Sequence, residues 1–270
     1  MAPLGLLPAA GRGARFGSAA YLKELFPLLF APEGADGTIE LRPLCELALR
    51  AIRGAGAERC LVLVSPERTD VLRVLASGSQ LGMSLAYAVQ EEPLGLPHAV
   101  RCALPWLLDE DVVFAMPDTV VLPQDALSRV DARRRETGAA VTLGLFSVEE
   151  PERFGPVELA SDGAVVRILD KPADRSINTV WGVASWSGAF SRFCAEWDAR
   201  QERQGSGERV LGHAFDAARR AGLVVNALVL EGGIFLDVGT PEGLRDTLQR
   251  LAERGVLDRV QAALGLDRPA

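Results

Sequence analysis

Four short apolar runs in the first half of the chain alternate with segments whose apolar residues recur at helical spacing. Continuous apolar runs are typical of strands that are covered on both faces, and parallel strands need a crossover between them, usually a helix. The pattern therefore predicts successive βαβ units and a mostly parallel sheet flanked by helices. The predicted strands are Leu4–Ala10, Cys60–Val64, Leu85–Val89 and Val112–Met116, and the predicted helices are Arg42–Ala55, one that begins at Ser65 and Pro66, and Pro97–Leu107.

The pattern changes beyond Pro123. A polar helix and a strand are followed by three short β-rich segments with no helix between them, which predicts an antiparallel elaboration in the second half. The chain then returns to helices and strands, so the sequence predicts one α/β domain. The predicted elements are Asp125–Glu136, Ala139–Val148, Val157–Leu159, Ala164–Leu169, Val180–Trp186, a helix capped by Ser187, Val210–Ala221, Leu223–Leu230, Ile234–Val238 and a helix from Pro241 to about residue 263.

Composition excludes several classes of partner. A net charge of −7 and a pI near 5.1 argue against a general nucleic-acid or membrane surface, because those partners need a basic face. The four cysteines lie far apart and predict reduced core residues. The amino terminus has no basic segment before its short apolar run, so we expect a cytoplasmic protein.

The first predicted strand runs into a glycine-rich segment, Leu7–Gly17, with the sequence LPAAGRGARFG. Glycines allow bare backbone N–H groups to approach an anion, and arginine supplies forked donors for phosphate oxygens. The segment can therefore be a phosphate loop or an ordinary strand-to-helix turn. Lys23, a few residues later, is either a second phosphate contact or a solvated side chain.

Polar residues follow several other predicted strands: Gln90, Asp118, Asp170 with Lys171, and Asp237. Ligands of parallel α/β sheets bind at the carboxyl ends of the strands. Two carboxylates there, together with substrate phosphates, suit Mg²⁺, although a single aspartate is more often a helix cap or a surface charge. The remaining acidic cluster, Asp109–Asp111, precedes a strand and predicts only a surface turn, and His98 and His213 are expected to be structural or solvated.

In order and spacing, these segments resemble the sugar-1-phosphate nucleotidylyltransferases, typified by glucose-1-phosphate thymidylyltransferase. The resemblance implies a Rossmann-like, GT-A type nucleotidyltransferase fold in a single domain, residues 1–270. It also implies a nucleotide-binding half at 1–123, a sugar-phosphate-binding half at 124–245 and a C-terminal helix at 246–270. The matching segments are LPAAGRGARFG, LKELFP, QEEPLGLPHA, FAMPDT, RFGPVEL, ILDKP, WGVASW and FLDVGTPEGL.

The resemblance also implies a role for each matching residue. Arg15, Lys23 and Lys171 would be the catalytic cations, and Asp118 and Asp237 would bind Mg²⁺. Asp170 replaces the glutamate that is commoner in the family. The implied nucleotide contacts are Ala10, Gly11, Gly13, Arg15, Gln90 and Gly95, and the implied sugar-phosphate contacts are Gly155, Asp170, Lys171 and Val180.

The implied reaction joins a nucleoside triphosphate to a sugar 1-phosphate and releases pyrophosphate. Because the attacking group is already an anionic phosphate oxygen, cations rather than a general base carry the catalysis. Two alternatives stay open: cytidylyl transfer to a non-sugar phosphate, and a non-catalytic sensor of nucleotide sugars. Members of the family often form dimers or tetramers, so a homo-oligomer is compatible with the resemblance.

Overall fold

A computed structural model describes residues 2–11, 23–27, 29–30, 41–205, 209–252, 255–256 and 259–260. Thirteen strands and seven α-helices lie within these ranges. The strands are β1 Leu4–Pro8, β2 Leu29–Phe30, β3 Leu41–Arg42, β4 Arg59–Val64, β5 Ser84–Val89, β6 Val112–Ala115, β7 Thr119–Leu122, β8 Val141–Ser147, β9 Val157–Leu159, β10 Val165–Ile168, β11 Thr179–Trp186, β12 Val225–Val229 and β13 Ile234–Asp237. The helices are α1 Cys45–Gly54, α2 Thr69–Leu75, α3 Leu96–Leu107, α4 Ala126–Thr137, α5 Gly188–Arg203, α6 Leu211–Arg220 and α7 Pro241–Ala252.

Seven strands form the central sheet, in the order β12-β8-β11-β6-β1-β4-β5. The seven strands form six neighbouring pairs. Four of them, β1 with β4, β4 with β5, β1 with β6 and β12 with β8, are parallel, whereas β11 runs antiparallel to its neighbours β6 and β8. The mostly parallel α/β sheet predicted from the sequence is therefore confirmed. The carboxyl ends of β1, β5 and β6 meet at one edge, and Gly11, Gln90 and Asp118 follow those three strands.

Helices cover both faces of this sheet. Along β6 the side chains alternate between the two faces, so that Val112 and Phe114 pack into one apolar cluster and Val113 and Ala115 into the other. The first cluster includes residues of α3, α5 and α6, and the second includes residues of α1, α2 and α4. The central strands are thus buried on both sides, which explains why they read as continuous apolar runs. Among the described residues, no helix combines the length and the apolar character that crossing a membrane requires.

The second half contains the predicted antiparallel strands in two places. Strands β9 and β10 form a separate antiparallel hairpin, whereas β11 enters the central sheet between β6 and β8. A further antiparallel pair, β7 with β13, was missed in part, because the sequence prediction left Thr119–Leu122 without an element. Only three residues separate the end of β6 from the start of this short strand, so its apolar residues resemble a continuation of β6.

Two local predictions differ from the structure. The helix expected at Ser65 begins at Thr69, because Arg68 N donates to Ser65 O in a turn and the Ser65 hydroxyl contacts Glu67 instead of capping. Ser187 does occupy the N-cap position of α5, but its side chain makes no capping hydrogen bond. Helix α7, by contrast, begins at Pro241, as the sequence predicted.

Candidate active site

Two acidic residues meet where the β7–β13 pair leaves the central sheet. Asp118 lies between β6 and β7, and Asp237 ends β13, where it pairs with Thr119. A backbone hydrogen bond of 2.9 Å from Val238 N to Asp118 O holds the two chain segments together. A methyl group placed on Gly239 would lie 2.8 Å from Asp237 Oδ1 and 3.0 Å from Asp118 Oδ2, so both carboxylates border the same space.

Asp118 is buried and Asp237 is half-buried, and the negative charge of each acts on the other. Asp118 is 3% exposed, and its Oδ1 atom has no hydrogen-bond partner among the described residues. Burial raises the pKa of Asp237, and the negative charge of Asp118 raises it further. A buried carboxylate oxygen without a partner is costly, so this pair is suited to a positive ligand.

Lys23 supplies a positive charge to the pair. It begins a short 3₁₀ turn, Lys23–Leu25, and its Nζ donates a hydrogen bond to Asp118 Oδ2. Burial on its own would lower the pKa of Lys23, but the negative charges of Asp118, Glu24 and Asp237 outweigh it and raise the pKa above its ordinary value. The lysine is therefore held as a cation beside the two acids.

The glycine-rich segment leaves β1 next to this cluster. Ala10 is buried and Gly11 is exposed, whereas Gly13 and Arg15 lie outside the described residues. Arg68, which sequence analysis did not identify, donates from Nη2 to Gly11 O and from Nη1 to Glu24 Oε2, the latter over 3.4 Å. One guanidinium thus joins the start of the loop to the turn that carries Lys23.

Gln90 and Gly95, the two predicted base contacts, are bonded to each other. Gln90 Nε2 lies 3.2 Å from the carbonyl oxygen of Gly95 and 3.0 Å from Nδ1 of His98. Gln90 is 4% exposed, and His98 is also buried, which fits its expected structural role. His213, the other histidine, is exposed on α6.

The turn at Gly95 packs against residues for which the sequence analysis predicted no role. Gly95 has φ +104, and a methyl group there would lie 2.0 Å from Arg209 O, so only glycine fits. Arg209 N donates to Leu94 O, and the buried guanidinium of Arg209 pairs with Asp198, which also pairs with Arg101 over 3.1 Å. Gly95 and Arg209 are more than a hundred positions apart, so no local sequence pattern could have linked them.

The predicted sugar-phosphate residues lie in the second half of the chain. A methyl group on Gly155 would lie 2.6 Å from Trp181 Nε1, which explains the glycine. Lys171 adopts φ +43, and its backbone N donates to Phe154 O over 2.8 Å. The ring of Phe154 packs edge-on against Phe235, 5.3 Å between centroids, and Phe235 lies two residues before Asp237.

Asp170 and Val180, the other two predicted sugar-phosphate contacts, lie in different surroundings from Gly155 and Lys171. Asp170 lines a cavity of about 500 Å³ together with His213 and Asp216. Val180 is fully buried in β11, so its side chain cannot meet a ligand, and only its main chain is left for a contact. A larger cleft, of about 680 Å³, extends to Asp237 but is not lined by Asp118.

The structure thus brings the predicted site residues together in two groups whose members contact one another. The sugar-phosphate roles stay predictions. Lys23, Asp118 and Asp237 form one group and Gln90 with Gly95 the other, while Gly155 and Lys171 connect to the first through Phe154 and Phe235. Within the described part of the chain, no three His, Cys, Asp or Glu side chains are grouped as metal ligands. A metal at the aspartate pair would therefore need further ligands from substrate or water.

Several known proteins are similar to this chain. Agl11 of Haloferax volcanii, a low-salt glycan biosynthesis nucleotidyltransferase, is 28% identical over 216 residues, which are 78% of this chain and 58% of that protein. A glucose-1-phosphate thymidylyltransferase of Streptomyces antibioticus is 30% identical over 193 residues, 71% of this chain and 52% of that protein. The chain spans about half the length of the curated relatives it matches.

Among solved structures, a UDP-glucose pyrophosphorylase complexed with UDP-glucose superposes with a TM-score of 0.74 at 18% identity, covering 94% of this chain and 100% of that one. This likeness concerns the fold. A family model described as nucleotidyl transferase matches residues 37–254, which is most of the chain. The chain therefore belongs to the nucleotidyl transferase family, as the resemblance of its motifs predicted.

Proposed function

We propose that this protein transfers a nucleotidyl group from a nucleoside triphosphate to a sugar 1-phosphate and releases pyrophosphate. The observation that carries the proposal is the close pair of the buried Asp118 and the half-buried Asp237 with Lys23 beside it, at the sheet edge where the glycine-rich segment leaves β1. Glucose-1-phosphate thymidylyltransferase is the name of one relative, and UDP-glucose is bound in one structural neighbour. Both support sugar nucleotides as products. The substrates are cytoplasmic metabolites, so the proposed activity implies a cytoplasmic protein.

The aspartate pair fits a hard divalent cation such as Mg²⁺. The buried Oδ1 of Asp118 lacks a partner among the described residues, and oxygen is the ligand that Mg²⁺ prefers. Asp118 and Asp237 would hold the ion, and two carboxylates leave room for substrate phosphates in its coordination shell. When bound, the ion would neutralise charge on the phosphates of the nucleotide.

The residues of the chain itself would position two anions that repel each other. A phosphate oxygen of the sugar 1-phosphate attacks the α-phosphorus of the triphosphate, and the bond between that phosphorus and the bridging oxygen of pyrophosphate breaks. No proton has to be removed from the nucleophile, so charge neutralisation and alignment are the main requirements. In this proposal Arg15 and Lys23 contact the triphosphate and Lys171 contacts the sugar phosphate.

Substrate binding would divide along the two halves of the chain. Ala10, Gly11 and Gly13 would approach the triphosphate through the backbone, while Gln90 and Gly95 would contact the base. Gly155 and Asp170 would border the sugar phosphate together with Lys171, and Val180 would contribute only main chain because its side chain is buried.

The test is pyrophosphate release over a grid of nucleoside triphosphates and sugar 1-phosphates, with and without Mg²⁺. We expect release with at least one sugar 1-phosphate, and only with the metal. Release with a non-sugar phosphate alone would replace the proposal with the cytidylyltransferase alternative. Binding of nucleotide sugars without any release would favour a sensor.

Variants of the aspartate pair test the site itself. Asp118→Asn and Asp237→Asn should each reduce turnover by at least about a hundredfold, the scale of losing one electrostatic stabiliser. Asp109→Asn is the matched control and should leave turnover unchanged, because Asp109 is 94% exposed and precedes β6, whereas Asp118 follows the opposite end of that strand. Circular dichroism should show the same fold in all three variants. Normal Mg²⁺-dependent turnover in either aspartate variant would contradict the assigned site.

A further inference from the structure

The two ends of the Gln90 side-chain amide differ in their hydrogen bonding. One amide end lies 3.2 Å from Gly95 O and 3.0 Å from His98 Nδ1, and the other end has no hydrogen-bond partner in the part of the chain that the structure describes. A backbone carbonyl oxygen can only accept a hydrogen bond, so the end beside Gly95 must be the NH₂ group. Its two hydrogens are then directed to Gly95 and His98, and the oxygen Oε1 is left for a ligand.

This arrangement fixes the protonation of His98. If the Gln90 NH₂ donates to Nδ1, that ring nitrogen must be an acceptor and therefore carry no proton. The proton of the neutral ring then lies on Nε2, which is 3.8 Å from Cys102 Sγ, a weak acceptor. Burial lowers the pKa of His98, and the positive charge of Arg101 lowers it further, so the neutral ring is favoured.

We propose that His98 is a positioning residue that holds the Gln90 amide with its oxygen toward the base, and that discrimination of uracil or thymine from cytosine depends on this histidine. Uracil and thymine present an N3–H donor to such an oxygen, whereas cytosine presents the lone pair of N3 there. The inference rests on the proposed function, because it takes Gln90 as the base contact. It goes beyond that function by assigning a role to His98.

The geometry also predicts how the preference depends on pH. A protonated His98 carries hydrogens on both ring nitrogens, so it can no longer accept from Gln90, and the amide loses the bond that orients it. Because the folded pKa is lowered from 6.5, the preference is present above that lowered value and disappears as the pH falls through it. The charged or titratable groups that face His98 are Arg101 and Cys102 on its own helix α3, Asp198 and Glu202 on α5, and Arg209 before α6.

The experiment measures equilibrium binding of UTP, dTTP and CTP to the full chain in a pH series that begins at pH 8 and descends as far as the protein stays folded. Wild type should bind UTP and dTTP at least about tenfold more tightly than CTP at pH 8, the scale of one unmade hydrogen bond in a buried site. Protonation of the phosphates affects all three nucleotides alike, but cytosine N3 also gains a proton in acid, so a variant without a titrating residue at position 98 supplies the baseline at each pH. His98→Ala should lose most of the preference at every pH.

His98→Asn is the rescue variant, because its amide oxygen can accept where Nδ1 does but does not titrate. It should retain more of the preference than wild type as the pH falls through the lowered pKa of His98, because only wild type then loses the bond that orients Gln90. His213→Asn, which changes the exposed histidine on α6, should behave as wild type. A His98→Ala variant with unchanged preference, or a wild type that binds CTP as tightly as UTP, would overturn the inference.

Two further measurements keep the inference independent of folding and of catalysis. Nitrogen NMR of the imidazole in wild type should show the neutral ring with its proton on Nε2, and a proton on Nδ1 at pH 8 would overturn the inference without any variant. Selective nucleotide binding without pyrophosphate release would leave the inference standing while the proposed reaction fails. Pyrophosphate release together with an unaltered base preference in His98→Ala would support the proposed reaction and overturn the inference.

Discussion

Replacement of Arg68 by alanine should destabilise the protein and loosen the start of the glycine-rich segment. The Arg68 side chain is 8% exposed and its partner Glu24 is 1% exposed, so the alanine variant leaves a buried carboxylate with less compensation. Breaking a buried ion pair typically costs about 3–5 kcal/mol. The Arg68–Glu24 contact is long at 3.4 Å and Lys23 still faces Glu24, so we expect a loss near the lower limit, about 3 kcal/mol at pH 7.

The loss of stability in Arg68→Ala should be smaller at low pH. Burial raises the pKa of Glu24, while Lys23 and Arg68 act in the opposite direction. A raised carboxyl pKa means that the folded state binds the proton more tightly than the unfolded chain, so this group favours folding less as the pH rises above 4.5. Without Arg68 the pKa rises further, and protonation of Glu24 removes the uncompensated charge. The difference between wild type and variant is therefore smaller at pH 5 than at pH 7.

Urea denaturation at both pH values measures this effect, and Glu24→Gln with the double variant completes a thermodynamic cycle. The double variant should recover part of the loss, because the amide removes the buried charge. Arg73→Ala is the control: Arg73 lies on α2, its side chain is 79% exposed, and its pair with Asp70 should contribute under about 1 kcal/mol. A loss at Arg68 below about 1 kcal/mol, or one that is equal at both pH values, would refute this reasoning.

Two glycine substitutions test other parts of the site. Gly95→Ala should cost about 2 kcal/mol or more in thermal unfolding, because φ is +104 and the new methyl group would lie 2.0 Å from the carbonyl oxygen of Arg209; an unchanged Tm would contradict the turn geometry. Gly239→Ala should reduce Mg²⁺-dependent turnover by about tenfold or more with little loss of stability, because its methyl group would enter the space between Asp118 and Asp237; a variant with normal turnover would show that this space is not used.

Much of the fold could be predicted from the sequence because strands that are buried on both faces have continuous apolar sequences. Strand β4 is the clearest example, since CLVLV at 60–64 is continuous and apolar and the structure buries all five residues. Strand β7 could not be separated from β6 on that basis, because both are apolar and only three residues lie between them. Its separate identity depends on pairing with β13, which is more than a hundred residues away.

The site was predictable to the extent that its residues end strands. Asp118 and Asp237 were identified in this way, and the structure brings them together. Arg68 and His98 were not assigned a role in the site, because their contacts are side-chain bonds to Gly11 and Gln90 that have no local pattern. A charged residue in a turn and a histidine on a helix are common in any sequence, and only their burial beside a polar partner distinguishes these two.

The most direct test of the proposed reaction follows oxygen atoms. The protein is supplied with a nucleoside triphosphate, Mg²⁺ and a sugar 1-phosphate whose three non-bridging phosphate oxygens are ¹⁸O, and both products are weighed by mass spectrometry. Attack by the sugar phosphate on the α-phosphorus predicts a sugar nucleotide that retains all the label and a pyrophosphate that carries none. Label in the pyrophosphate, or triphosphate consumed without a labelled sugar nucleotide, would contradict the account.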